Sequence, residues 1–413
     1  MKKMGIPLVL LAVLLGLTAC QSSTPQPTLQ PTQGVDLAAT ATRKALDTPF
    51  LPATHTPLPT ATETPSPTLT PTRDYPPQGY GPTGFPADVN PLTGLKVADP
   101  QILNRRPILI KVQNLPREDR PQSGLSLADI VYEFYTEYGT TRFAALFYGQ
   151  DAEQVMPIRS ARYSDVNLIR MYKPIFVFGY AYAPVFQRLV NSEFGNRLVL
   201  ESGASCPAVC RVDPRGKNYL AANTIELQNL IKARGIDNTR PNLDGMMFNY
   251  NLPAGGKRAI QVFVRFSSAI YNRWDYIPAT GRYVRFSETK NDPNGDAPEY
   301  APLTDALTKQ QIAADNLVII QVRHNEVDPR PDVEVLDMSI LGSGPAYLFR
   351  DGQVFEVRWQ RLTENDLLTL VDAQGKPVAF KPGKTWFEVM TVNTTVAQDE
   401  DAGVWRFRFV SDW

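Results

Sequence analysis

Two short groups of residues combine arginine with hydroxyl or amide side chains, and both precede segments that predict helices. The groups are Arg120, Gln122, Ser123 and Arg159, Ser160, Arg162. Arg142 contributes a further guanidinium from a predicted strand. Helix N-termini present unpaired N–H groups, and guanidiniums hold carboxylate or phosphate through paired hydrogen bonds. These residues are therefore candidates either for binding an anionic or sugar-rich ligand or for an internal network that fixes helix packing.

Carboxylates near the first group offer a second kind of chemistry. Ser126 lies three residues before Asp129, a spacing typical of a helix start, and the predicted helix continues through Phe134. On such a helix Asp129 and Glu133 would share one face, since they lie four residues apart. Two carboxylates can serve as general acid and base in hydrolysis of a glycan. They are weak catalytic candidates.

Cys206 and Cys210 are the only cysteines after Cys20. In an exported domain this pair predicts a structural disulfide, while a metal pair or a redox pair stays open. The chain has only two histidines, which leaves little room for a histidine-based metal or acid–base site. We therefore predict neither a metal nor a cofactor. No Gly-x-Ser-x-Gly, Walker or His-Glu-x-x-His motif occurs, which favours binding over catalysis.

The N-terminus predicts an exported, lipid-anchored protein. Residues 1–19 combine two lysines with a short apolar run, as in a signal peptide, and the run is too short to span a membrane. It ends at Leu17-Thr18-Ala19-Cys20, which resembles the bacterial lipobox. Acyl chains, such as palmitate, on Cys20 would hold the protein on the extracytoplasmic face of the cell membrane. A plain secretory signal is the alternative.

Residues 20–89 predict a disordered tether. The 70 residues from Gln21 to Asn90 contain 14 Pro and 15 Thr and show no apolar periodicity. Such a segment buries too little apolar surface to offset the entropy of ordering its backbone. Proline favours extended conformations, so the tether would reach at most on the order of 200 Å. It is either a stalk or an inert linker.

The folded part is predicted to be α+β, with two domains. In residues 90–252, strands such as Ile108–Val112 and Ile175–Phe178 alternate with predicted helices, which indicates a mixed α/β domain. Residues 257–395 are rich in strands, with an Asp351-Gly352 hairpin signal, and indicate a mostly antiparallel β domain. One helix is expected around residues 305–313. Residues 396–413 predict a terminal strand or tail.

Several blocks, in order, resemble the YerB-like lipoproteins. They include Asn104-Arg105-Arg106-Pro107, Arg120-Pro121-Gln122-Ser123-Gly124, Ala128-Asp129-Ile130-Val131-Tyr132-Glu133 and Pro157-Ile158-Arg159-Ser160-Ala161-Arg162. The resemblance covers about residues 90–395 and implies an exported lipoprotein with N- and C-terminal domains, without implying a reaction. The segment Cys206–Arg211 departs from the expected pattern, and Gly216-Lys217-Asn218 lacks an expected histidine.

These features predict a membrane-anchored, non-catalytic protein that binds an anionic or glycan component of the cell envelope, or an exported partner. The alternative is a hydrolase or transferase acting on the cell wall. The chain carries 42 basic and 42 acidic residues, so its net charge is zero. A nucleic-acid partner is not expected, because binding phosphate backbones requires surplus positive charge.

Overall fold

The computed structural model describes residues 75–213, 219–330 and 332–413. The signal peptide, Cys20 and most of the predicted tether lie outside these residues. The end of that tether is described, and its prediction as disordered is wrong from residue 75 onward. Tyr75 packs edge-on against Tyr80 and Tyr250, and the backbone of Tyr80 pairs with Phe248. Aromatic side chains supply here the burial that the Thr/Pro segment lacks.

Three α-helices occur within the described residues: α1 Asp165–Tyr172, α2 Ala183–Val190 and α3 Thr224–Ala233. The strands of the N-terminal half are β1 Ile108–Gln113, β2 Ile130–Tyr135, β3 Thr141–Phe147, β4 Ile175–Phe178, β5 Leu198–Leu200, β6 Val209–Arg211 and β7 Leu220–Ala222. Those of the C-terminal half are β8 Lys257–Arg258, β9 Gln261–Arg265, β10 Tyr271–Ile277, β11 Arg282–Glu288, β12 Tyr300–Pro302, β13 Ala313–Ala314, β14 Asn316–Glu326, β15 Leu336–Ser339, β16 Gly342–Arg350, β17 Gln353–Arg361, β18 Thr369–Val371, β19 Thr385–Thr391, β20 Thr395–Asp399 and β21 Val404–Arg408. The protein is mostly β, and its helices lie in the N-terminal half, so the α+β prediction holds in coarse form.

Strands from both halves form one sheet of 12 strands. Its main order is β18-β17-β16-β14-β19-β2-β3-β1-β4-β5, with β15 on β14 and β8 on β17. Strand β19 lies between β14 and β2 and is parallel to both. Strands β1, β4 and β5 are also parallel neighbours, so their first residues share one edge of the sheet. The second sheet has seven strands in the order β12-β11-β10-β9-β21-β20, with β13 on β11.

The large sheet is covered on both faces. Helix α1 packs on one face through Leu168 and Met171, and the second sheet packs on the other through Trp274 and Trp405. Strand β1 is accordingly buried at every position. This double coverage explains why its sequence is a continuous apolar run rather than an alternation.

Two predicted helices are absent. Residues 130–135 form β2 instead, and Ser126 lies inside a short 3-10 turn, Leu125–Leu127. The segment around residues 305–313 is turns and a short strand, because the Asp305 carboxylate accepts the backbone N–H groups of Gly124, Ser126 and Leu307. That carboxylate fixes a turn between the two halves, where a helix would need its own backbone bonds.

Candidate anion-binding site

The arginines predicted to bind a ligand are bonded within the protein. Arg162 and Arg142 both contact the carboxylate of Glu137, with Arg162 Nε 2.5 Å from Oε2 and Arg142 Nη2 3.3 Å from Oε1. The Ser160 carbonyl accepts a hydrogen bond from Arg142 Nη1 at 2.8 Å. Burial, and then repulsion from Arg162, lower the pKa of Arg142 to about 9. This group lies where the β2–β3 turn meets the chain before α1.

The residues of the first predicted group are also satisfied internally. Arg120 Nη2 donates to Glu288 at 2.7 Å and to the Asn114 side chain at 2.6 Å. The Gln122 side chain donates to a backbone carbonyl of β1, and the Ser123 hydroxyl donates to Gln154. No α-helix begins here. The prediction that this group precedes a helix is therefore wrong. The Arg120 side chain joins the N-terminal half to β11 through Glu288, while the side chains of Gln122 and Ser123 bond within the N-terminal half.

Arg159 lies between the two groups, at the carboxyl ends of β1 and β4. Its Nη2 is 3.7 Å from Asp119 Oδ2, and its backbone N–H donates to the Lys111 carbonyl. Helix α1 begins after Ser164, not after Ser160 as predicted. The structure thus brings all seven predicted residues to one region, but it pairs their charges with carboxylates.

The predicted acid–base carboxylates are too enclosed and too far apart for catalysis. Asp129 is buried and accepts the backbone N–H groups of Tyr148 and Gly149. Glu133 is 0% exposed, on β2. Four residues along a strand span roughly 13 Å, beyond the spacing of a glycosidase pair. The prediction of a shared helix face fails because the segment is a strand.

Cys206 and Cys210 are joined by a disulfide, with Cα atoms 5.1 Å apart. Cys210 lies in β6, which pairs with β7, and Ala222 of β7 pairs with Val155. The bridge closes the short loop that leads into β6.

A different set of cations lies at the opposite edge, where the parallel strands begin. Arg106 precedes β1, Lys173 precedes β4 and Arg197 precedes β5. Because neighbouring parallel strands start at the same edge, these three side chains meet. Lys173 ends α1 in the left-handed conformation, and the following proline stops the helix. Together with Arg170, Glu193 and Asp237 they line a cleft of about 280 Å³, called here the amino-edge cleft.

Positive charge exceeds negative charge in the amino-edge cleft. Four cationic side chains and two carboxylates line it. Arg106 is paired with Asp237, and Arg170 is paired with Glu193 at 2.9 Å and with Glu364, which lies beside the cleft, at 2.8 Å. Lys173 Nζ bonds only backbone carbonyls, of Met171 and Asn365. These contacts leave it without a carboxylate partner in the described part of the chain.

Arg197 is the least satisfied of these cations. It is half-buried, yet within the described ranges its guanidinium has neither a hydrogen bond nor an ion pair. Burial, and then repulsion from Arg106, lower the pKa of Arg197 below its usual value. Burial, and then repulsion from Arg197, also lower the pKa of Lys173. Attraction by Asp237 and Glu193 offsets part of this effect on the pKa of Arg197. An anion in the cleft would accept hydrogen bonds from the unused N–H groups.

A repeated triplet in the sequence indicates this cleft, although it does not mark a helix start. Arg106-Pro107-Ile108 and Lys173-Pro174-Ile175 repeat the order cation, proline, apolar strand. Proline before a strand marks where the chain enters the sheet, so a cation directly before it lies at the sheet edge. Two such triplets before parallel strands indicate cations at one edge.

Comparisons with known proteins identify the family. The chain matches the "Protein of unknown function (DUF3048)" N-terminal domain over residues 92–231 and its C-terminal domain over residues 262–387. It is 29% identical to the protein named "Putative lipoprotein YerB" of Bacillus subtilis (strain 168) over 318 residues, 73% of this chain and 85% of that protein. The chain belongs to the YerB-like family. A crystal structure of the YerB protein from Bacillus subtilis superposes with a TM-score of 0.61 at 26% identity, covering 76% of this chain and 98% of that one.

The N-terminal family match includes the edge where β1, β4 and β5 begin, which carries the cleft. Arg106, Lys173 and Arg197 all lie within the N-terminal match. The C-terminal match ends at residue 387, inside β19, which pairs with β2 of the N-terminal half. The two family domains therefore contribute to a single sheet. No helix within the described residues is long and apolar enough to cross a bilayer.

Proposed function

We propose that this YerB-like protein is a lipid-anchored, extracytoplasmic binding protein for an anionic component of the cell envelope, and that the amino-edge cleft is its binding site. Membership of a lipoprotein-containing family and the Leu17-Thr18-Ala19-Cys20 sequence support the anchor. The single observation that carries the site is the half-buried Arg197 guanidinium without a partner among the described residues.

The cleft is a better anion site than the predicted arginine cluster for an electrostatic reason. An anion at Arg142 or Arg162 must compete with Glu137, which already contacts both guanidiniums. An anion beside Arg197 and Lys173 displaces no carboxylate from either side chain. Displacing Glu137 from a mostly buried guanidinium would cost free energy. We therefore expect an anion to bind more favourably at Arg197 and Lys173 than at Arg142 and Arg162.

The buried positions of Asp129 and Glu133 favour binding over hydrolysis. Asp129 is 4% and Glu133 0% exposed. A general acid or base must come within hydrogen-bond reach of its substrate. Neither carboxylate can do so at this depth.

The test is calorimetric titration of the full chain with inorganic phosphate at low ionic strength. We expect Arg197→Gln to weaken phosphate binding by about tenfold or more, since a hydrogen bond to a charged group contributes about 1.5–3 kcal/mol. Arg188→Gln is the matched control, because Arg188 lies on α2, outside the cleft, with its side chain 45% exposed and paired with Asp337.

A third variant separates the two arginine sites. Arg162→Gln should lower the free energy of unfolding, because it leaves Glu137 with only Arg142, and should leave phosphate affinity unchanged. The proposal is wrong if wild type binds no phosphate, or if Arg162→Gln abolishes binding while Arg197→Gln retains it.

A further inference from the structure

A second hollow adjoins the amino-edge cleft and has different chemistry. It measures about 450 Å³ and shares Lys173 and Asn365 with the cleft. The two spaces meet at this pair, where Lys173 Nζ donates to the Asn365 carbonyl at 3.0 Å, so a ligand that occupies both must extend across it. We name this space the amide-lined hollow, after its amide side chains Asn242, Gln360 and Asn365; Asp244 and Thr369 also line it.

The amide-lined hollow cannot take a second phosphate easily. Apart from Lys173, its one cation is Arg361, which is 1% exposed and donates to Asn167, to Ile340 O at 2.6 Å and to Asp366 O. All three guanidinium nitrogens of Arg361 are thus engaged, since Nη2 also donates to the Glu364 carbonyl. Asp244 and Asp366 add two carboxylates to the wall. This space repels anions and suits groups that donate hydrogen bonds.

Two of its side chains are open to a ligand. Across the described residues, neither the Asp244 carboxylate nor the Gln360 side-chain amide has a hydrogen-bond partner. A carboxylate accepts hydrogen bonds, and an amide both donates and accepts, so the pair matches neighbouring hydroxyl groups. The cleft beyond Lys173 offers the opposite chemistry, with the unpaired Arg197 guanidinium.

We infer that the two spaces form one groove for a phosphate-bearing polyol or sugar. Its phosphate lies between Lys173 and Arg197, and its hydroxyl groups lie toward Asp244 and Gln360. This inference rests on the proposed function, because it assigns a ligand class to the same site. It adds that the site distinguishes a phosphorylated polyol from phosphate itself.

The test compares three soluble probes on the full chain by calorimetry: inorganic phosphate, glycerol 3-phosphate and glycerol. We expect glycerol 3-phosphate to bind about tenfold more tightly than inorganic phosphate, and glycerol alone to bind undetectably. Asp244→Ala and Gln360→Ala should remove that difference, because each should lower the affinity for glycerol 3-phosphate relative to the affinity for inorganic phosphate. Arg197→Gln should lower the affinity for both inorganic phosphate and glycerol 3-phosphate.

The outcomes distinguish the two proposals. Equal affinities for phosphate and glycerol 3-phosphate overturn the polyol inference and leave the anion site standing. Absence of binding by either ligand overturns both. Sources of the ligand are separated with phosphatidylglycerol vesicles and soluble glycerophosphoglycerol. If one of these probes binds and its binding is lost in both Arg197→Gln and Asp244→Ala, the result supports the groove and identifies that probe's class as the ligand source. Vesicle binding that neither variant changes contradicts a lipid headgroup as the ligand.

Discussion

Glu133 and Glu388 lie directly opposite each other in the parallel ladder of β2 and β19, and both are 0% exposed. Arg285, from the second sheet, is 2.7 Å from Glu133 and 3.0 Å from Glu388. Burial, and then repulsion from Glu133, raise the pKa of Glu388 well above its usual value. Two carboxylates facing one guanidinium are stable when one of them keeps its proton. We therefore expect Glu388 to keep its proton at neutral pH, and the trio joins the two sheets.

This charge state predicts opposite results for two variants. Glu388→Gln should change the free energy of unfolding by less than about 1 kcal/mol at neutral pH, because glutamine has the shape and polarity of a protonated glutamate. Arg285→Met should cost about 3–5 kcal/mol, because it leaves a buried charge unpaired. Urea unfolding measures both, with the more exposed Arg273→Met as control. A loss for Glu388→Gln as large as that for Arg285→Met would show that both carboxylates are ionised.

At the scale of elements, β19 determines how the two halves associate. It comes from the C-terminal half, yet it pairs in parallel with β2 over five residues, from Ile130 to Phe134. Without it, one edge of β2 would expose unpaired N–H and C=O groups in the middle of the sheet. Neither half can complete the large sheet alone.

We expect a full chain cleaved within residues 252–256 to remain associated. Leu252 is exposed there, so a protease site inserted in this loop is accessible and leaves both sheets intact. After cleavage, the two fragments should coelute from a size-exclusion column and separate only in denaturant. Fragments that separate in buffer, each with its own cooperative unfolding transition, would contradict this view.

Local sequence predicted the strands better than the helices, and residues 126–137 illustrate the reason. Asp129, Glu133 and Glu137 lie four residues apart, a spacing that places side chains on one face of a helix and also on one face of a strand. The capping signal at Ser126 favoured the helix, but the β-branched and aromatic residues from Ile130 to Tyr135 form a strand that pairs with β19 and β3. The pairing with β19 involves residues more than 250 positions away, which no local pattern contains.

The sequence left open whether its arginines bind an anion or form an internal network. It did not indicate which arginines have carboxylate partners. Arg120 is neutralised by Glu288 and Arg162 by Glu137, partners that sequence spacing does not indicate. Arg106 lies in the block Asn104-Arg105-Arg106-Pro107. Lys173 and Arg197 become its neighbours only through the parallel order of β1, β4 and β5.

At the scale of the whole molecule, the proposal requires that Cys20 carry lipid. In the wild-type chain, mass spectrometry should find an acylated N-terminal Cys20, and the protein should partition into detergent. Cys20→Ser should be released into the aqueous phase with an unchanged phosphate affinity, since the groove is formed by residues 106–369. A wild-type protein that partitions into water would contradict the anchor.

The central claim is that phosphate binds beside Arg197 at the amino edge of the parallel strands. Its most direct test is a crystal structure of the full chain grown with glycerol 3-phosphate. We expect phosphate oxygens about 3 Å from the Arg197 guanidinium, with the glycerol directed toward Asp244. Phosphate bound instead at Arg142 and Arg162, with Glu137 displaced, would contradict it.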